Sequence, residues 1–396
     1  MGEAFDNGST LTGQATINVV DDASLIFENT TASLTGAWNV GANGLLDFGD
    51  SLESANSVAV DLSGGTIRGE QSGFFNNTDQ QGIRGFGRFE LPVSNTTEIT
   101  ADGGELVIEN DNYGFGHDND WDGIFNNGRL RAEAGDLHLI SYKDATTQGD
   151  VRIGGGNKLE VSNFSVDFAG SVLLNGGTVA SEDLQVFSGN VDVTRLSTMD
   201  SFVSFQDGVE VNLAADLFLK GHEAFHDSSA SFAGVGKLFN ESDNRLRAVT
   251  DSIFGVDVIN RGTLSGENAE APGVITFAET LENLGTIVFD LGGNEFGQYS
   301  HFDILDELLV EDGTFQVRLV NDFNPILGDE YDFLDFNAFV DNGVLFDLPE
   351  LEQGLAWDSS DFVSQGILRI NAVPEPSAVS LLALTLLGLA ATRRRQ

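Results

Sequence analysis

The chain has 396 residues, no cysteine, and 62 acidic against 19 basic side chains, a formal net charge of −43. Such a surface repels nucleic acid and anionic lipid, and repels anionic polysaccharide unless divalent cations bridge the two. The missing thiols exclude a cysteine nucleophile, a Cys-ligated metal and a disulfide framework. The apolar fraction of 41% suffices for a packed core, and 47 glycines, 30 phenylalanines and only 6 prolines suggest many strands joined by tight turns.

The first residues, MGEAFDNGSTLTG, carry neither a basic region nor an apolar run, so they show no secretory signal. Asp6 stands where a myristoylation start wants Ser or Thr. Further on, short alternating runs recur in place of helical periodicity. Glu105–Glu109 is one, Val209–Leu213 a second with Val209, Val211 and Leu213 on one face, and Thr314–Leu319 a third with Phe315, Val317 and Leu319 inward. This is the period-two pattern of half-buried strands.

A turn-like unit repeats, with Gly, usually Thr, then an apolar residue. It occurs at Gly65, Gly128, Gly177, Gly262, Gly285 and Gly313, with Asn just ahead at Asn127, Asn175, Asn260 and Asn283. Gly and Asn tolerate positive φ, so each unit reads as a turn that launches a strand. The last two gaps are 23 and 28 residues, and the earlier ones lie near multiples of a period in the low twenties. That period predicts an all-β solenoid, a right-handed parallel β-helix with three short strands per coil, and the alternative is tandem β-sandwiches. From about Leu291 strands lengthen and turns become rich in Asp. The expected division is a β-helix body over 1–290, truncated at its start or with a misassigned Met1, a β-rich cap over 291–372, and a separate tail over 373–396.

Two local patterns suggest metals. Asp118, Asp120 and Asp122, with Gly123, match the first half of a calcium loop. Arg129 stands where an EF-hand places its bidentate Glu, so any Ca²⁺ here would need ligands from a neighbouring coil. His222-Glu-Ala-Phe-His226 matches the HExxH zinc pattern. Gly221 before it and Asp227-Ser228-Ser229 after it leave too little room for the helix that chemistry requires. In a strand, residues four apart lie about 13 Å apart, too far to share one zinc. The expectation is no catalytic residue in either pattern and no required cofactor.

The tail reads Val373-Pro374-Glu375-Pro376, then a mostly Leu and Ala run over 378–391, then Arg393, Arg394 and Arg395. The prolines cannot continue a strand ladder. The apolar run is short for a membrane span, and the arginines keep its end cytoplasmic. The order of these three features resembles the PEP-CTERM sorting signal of Gram-negative and related bacteria. The stretch Tyr299–Phe336, and the Leu355-Ala-Trp-Asp-Ser and Gly-Ile-Leu-Arg-Ile elements ahead of the tail, are also similar to the terminal block of such surface proteins. That resemblance implies export, transient anchoring in the inner membrane by 378–391, cutting near Pro374-Glu375-Pro376 by an exosortase, and delivery to the cell surface or an exopolysaccharide matrix. Members of that group carry an N-terminal signal peptide, which is why a truncated start is expected here.

Two function classes follow. One is a non-enzymatic structural or adhesive protein of the cell surface or extracellular matrix, with exopolysaccharide as a partner and no nucleic acid. The alternative is a glycan-active β-helix enzyme, a polysaccharide lyase or hydrolase, using the same sorting route. Carboxylates converging in a groove along one face would favour the second.

Overall fold

A computed structural model describes residues 3–5, 10–27, 31–49, 52–69, 74–109, 125–141, 144–206, 208–221, 223–226, 230–248, 252–266 and 274–373. The described chain is almost entirely β, with one four-residue helix, Phe362–Gln365. Nearly all strands join one sheet whose pairings are parallel and link each strand to the one a coil further on, which is the connectivity of a β-solenoid. Sandwiches are built from antiparallel strands, so the parallel ladder rules out the tandem-sandwich alternative.

The core follows from the alternation. One in-register inward column runs Ile17, Trp38, Val60, Ile83, Ile99, Leu130, Val151 and Val172. It continues through Val191, Val211, Phe232, Phe254, Phe277 and Ile304 to Phe336. Every member but Phe336 is buried. β-Branched and aromatic side chains stack well at the interstrand spacing of about 4.8 Å, which is why they recur here. The predicted inward residues Val209, Val211, Leu213, Phe315 and Val317 are all buried, and Leu319 is partly so.

Phenylalanines form a continuous spine. Phe168, Phe187 and Phe205 stack along one face, with centroids 5.0 and 5.5 Å apart, and Phe205 meets Phe232 edge-on at 5.3 Å across the interior. Phe232, Phe254 and Phe277 continue at 5.4 and 4.9 Å. Through Phe302 and Phe289 the spine reaches Phe362 of the short helix. Phe362 is fully buried against Phe315 and Phe346, so this helix plugs the C-terminal end of the core.

Two short asparagine ladders replace apolar columns. Asn77 Nδ2 donates to Asn95 Oδ1 at 2.6 Å, and Asn95 Nδ2 to Asn126 Oδ1 at 2.5 Å. Asn240 donates to Asn260 at 2.6 Å and Asn260 to Asn283 at 2.7 Å. The same amides also donate to carbonyls at strand starts, Asn240 reaching Thr263 O and Asn260 reaching Thr286 O. All six ladder side chains are buried, so each of these hydrogen bonds answers a desolvated amide. Turn glycines stack for a steric reason: a Cβ on Gly285 would lie 2.1 Å from the Gly262 carbonyl oxygen, and one on Gly149 1.5 Å from that of Gly128.

Acids and cations pin coils together on the outside. Asp144 accepts the Ser165 N–H at 3.0 Å and Asp216 the Lys237 N–H at 3.0 Å, each pair 21 residues apart. Arg68 pairs with Asp47 at 2.7 Å, Arg84 with Asp61 at 2.8 Å and Arg261 with Glu241 at 2.7 Å. The parallel ladder runs on past residue 290 through Leu334–Asn342 and Leu345–Asp347. A separate three-stranded antiparallel sheet of Glu330–Asp332, Ile367–Ala372 and Leu355–Asp358 adjoins this end.

Candidate functional site

Ile367–Ala372 is the central strand of that antiparallel sheet, and its alternation buries Leu368 and Ile370. Arg369, between them, pairs with Glu330 at 2.7 Å on one side and with Asp361 on the other. These two carboxylates hold its guanidinium above the usual arginine range. Beyond the strand, Val373 donates its N–H to the Gly354 carbonyl at 2.8 Å. Val373 is the last described residue. Pro374, Glu375 and Pro376, the apolar run 378–391 and Arg393, Arg394 and Arg395 lie outside the described residues.

On the other flank, Ile370 donates to the Asp329 carbonyl and the Gly328 N–H donates to the Ile370 carbonyl, both at 3.0 Å. The loop ahead of Gly328 is therefore brought to the edge where the chain leaves the sheet. The Asp329 carboxylate holds this loop, accepting the Ile326 N–H at 2.8 Å and the Tyr331 hydroxyl at 2.9 Å. Burial and the Asp329 hydrogen bond push the Tyr331 phenol well up. Ile326 and Leu327 themselves stay 61% and 60% exposed, and Val373 45%.

Asp118, Asp120 and Asp122 lie outside the described residues. Among the described residues no cluster of three or more His, Asp or Glu is placed to hold a metal. Of the HExxH stretch, Glu223–His226 is a parallel strand, with His226 opposite Phe205 on one side and Ala248 on the other. His222 lies outside the described residues. The strand removes the helical turn that a zinc protease needs to bring two histidines together.

One groove gathers acids from three coils. Glu160, Glu182, Asp183 and Asp200, with Ser162, Asn163 and Ser181, line a space of about 640 Å³. Register explains the convergence: Glu160 stands opposite Ala180, and Ala180 opposite Asp200. Ala180, too small to fill its place in the outward column, leaves room between the two carboxylates. Lys220 follows Asp200 in that column, and beside it run Thr198, Phe218 and Phe239. The two rings stack at 4.4 Å with 7° between planes, and the Arg261 guanidinium lies 5.1 Å from the Phe239 ring centre. Residue spacing by itself did not reveal this groove. The signal that could have found it is the period of about twenty residues that separates Glu160, Ala180 and Asp200.

Compared with known families, residues 372–395 match the PEP-CTERM protein-sorting motif. The match begins at Ala372, the last residue of the sheet's central strand. No curated protein and no solved structure matches the chain. The tail therefore carries a signal for export and transient membrane sorting, and implies processing by exosortase, a membrane enzyme. Among the described residues no helix is long and apolar enough to cross a membrane.

Proposed function

We propose that the chain is a structural or adhesive protein of the cell surface or extracellular matrix, anchored in transit by 378–391 and cut near Pro374-Glu375-Pro376. The observation that carries this reading is the sorting motif starting at the last residue of the central strand of the three-stranded sheet, beside a solenoid whose described strands pair in parallel from coil to coil. Coil-to-coil pins such as Asp144 to Ser165 stiffen such a body, and an acidic surface keeps it soluble and apart from its copies. Exopolysaccharide, bridged by divalent cations where it is anionic, is the partner this surface suits. We propose no catalytic residue and no required cofactor, with Ca²⁺ at Asp118, Asp120 and Asp122 as an accessory ligand. The test is intact mass of the protein recovered from native cell surface and matrix, with pull-down on the cell's own polysaccharide. Loss of the residues after about Val373 and retention on polysaccharide are expected. A full-length chain held in membranes would defeat the reading.

The groove of Glu160, Glu182, Asp183 and Asp200 favours a second reading, a glycan-active enzyme, because paired carboxylates beside a ring platform are the equipment of glycoside cleavage. Release of reducing ends from matrix polysaccharide, abolished by Asp183→Asn or Glu182→Gln, would favour it. No turnover by the unaltered chain would leave the structural reading.

A further inference from the structure

We propose that the exit edge of the cap, with Ile326, Leu327 and Val373, seats on the lipid surface while the tail holds the chain in the membrane. This rests on the reading that 378–391 inserts. Three observations carry it. First, the two most exposed aliphatic side chains of this edge, Ile326 and Leu327, are adjacent in sequence and are brought to the point of chain exit by the Gly328–Ile370 hydrogen bond. The antiparallel sense of that pairing carries them toward Val373, itself 45% exposed.

Second, the tether is short. Only Pro374, Glu375, Pro376 and Ser377 separate Val373 from the apolar run that begins at Ala378. A fully extended chain spans at most about 3.6 Å per residue, so Val373 stands within roughly 18 Å of the start of that run. An edge tied this closely is within reach of the headgroup region when the run is inserted.

Third, two acids close to Ile326 and Leu327 are engaged. The Asp329 carboxylate accepts from Ile326 N–H and the Tyr331 hydroxyl, and Glu352 accepts from Asn324 Nδ2. With a net charge of −43 on the chain and its Arg393–Arg395 cluster beyond the far end of the inserted run, the exit edge itself gains nothing electrostatically from an anionic bilayer, so the contact is apolar and suits neutral lipid. Seating would hold the cap in one orientation and present the short Pro-Glu-Pro segment at a fixed height to a membrane-embedded enzyme.

The chain has no cysteine, so single substitutions Ile326→Cys, Leu327→Cys, Val235→Cys and Leu384→Cys in the full chain each take one polarity-sensitive fluorophore. Val235, 90% exposed in a turn of the solenoid body, reports water, and Leu384 reports tail insertion. In vesicles of phosphatidylcholine, labels at 326 and 327 are expected to shift to the blue and to be quenched by lipid-borne quencher several-fold more than the label at 235. Anionic lipid should not strengthen this. Water-like labels at 326 and 327 beside an embedded label at 384 would overturn the seat and leave tail insertion standing. A water-like label at 384 would overturn both. Shielding of 326 and 327 only on adding the processing enzyme would overturn the lipid seat in favour of a protein groove.

Discussion

Val373 donates its backbone N–H to the carbonyl oxygen of Gly354 at 2.8 Å, one residue before the first proline of the tail. The three-stranded sheet therefore runs without a linker into the sorting motif. An enzyme that cuts upstream of Val373 must first peel away the sheet's central strand, which buries Leu368 and Ile370. The mature C-terminus is expected at or beyond Val373, as read by C-terminal peptide mass spectrometry. A chain stopped after Val373 should keep the stability of the cap, and one stopped after Gly366 should lose it and aggregate. Equal thermal stability of the two would contradict this account of the cap.

Asn260 is the middle rung of its ladder. Asn260→Leu leaves the Asn240 amide short of one acceptor, and both Asn283 Oδ1 and the Thr286 carbonyl without their Asn260 donor. A buried polar group left unsatisfied costs about 1–3 kcal/mol, so a loss of about 3 kcal/mol or more is expected. Asn127, exposed beside the other ladder, should tolerate Ala within about 0.5 kcal/mol. Because a solenoid unfolds coil by coil, hydrogen exchange around each site is the better measure than one melting midpoint.

Asp290 is 1% exposed and receives two charge-assisted hydrogen bonds from Arg318, at 2.7 and 2.8 Å. Arg318→Met strands a buried carboxylate and should cost about 3–5 kcal/mol. Adding Asp290→Leu to it should recover most of that loss. A double variant as unstable as the single one, by denaturant titration, would show that the arginine acts through other contacts.

Burial holds the Asp332 carboxyl above the ordinary carboxylate range, with Asp335 and Glu330 adding to the rise and His301 opposing it. Its Oδ1 is buried without a hydrogen-bond partner. An acid whose pKa is raised on folding holds its proton more tightly in the folded chain. Stability therefore falls as pH rises from the ordinary range through the raised value, and the loss is complete above it. Asp332→Asn is expected to raise the melting temperature near neutral pH, with the gain vanishing below the ordinary carboxylate range. A gain that persists in acid would mean that the charge is not its source.

The fold was legible because its local rules repeat. Period-two runs gave Val211 and Phe315 their inward sense, and the Gly-Thr turns marked the coil, with Gly262 and Gly285 stacking a coil apart. Positive φ was expected of the asparagines and glycines of that repeat, yet none of Asn127, Asn175, Asn260 and Asn283, and none of the six glycines, adopts it. Asn260 and Asn283 serve as buried ladder rungs instead, and in the other ladder that place falls to Asn126, not Asn127. Two adjacent asparagines offer the same local turn chemistry, and only the strand register decides which one faces inward. Asn175 makes a surface contact instead, its Oδ1 accepting from Thr194. The tail was plain from three unlike features in a row, whereas the acidic groove was not. Glu160 and Asp200 face one space because a small Ala180 lies between them in the stack, and that is a property of residues two coils apart.

The position of Ile367–Ala372 between two antiparallel neighbours also decides how the body answers a pull. Tension entering at Val373 runs along the strand, so the hydrogen bonds to Glu330–Asp332 and Leu355–Asp358 lie across it and are sheared together. An edge strand pulled from its end would open like a zipper, one bond at a time. While the tail still holds the chain, a load entering through it would thus meet first a joint loaded in shear, and would reach the coils behind only through that joint.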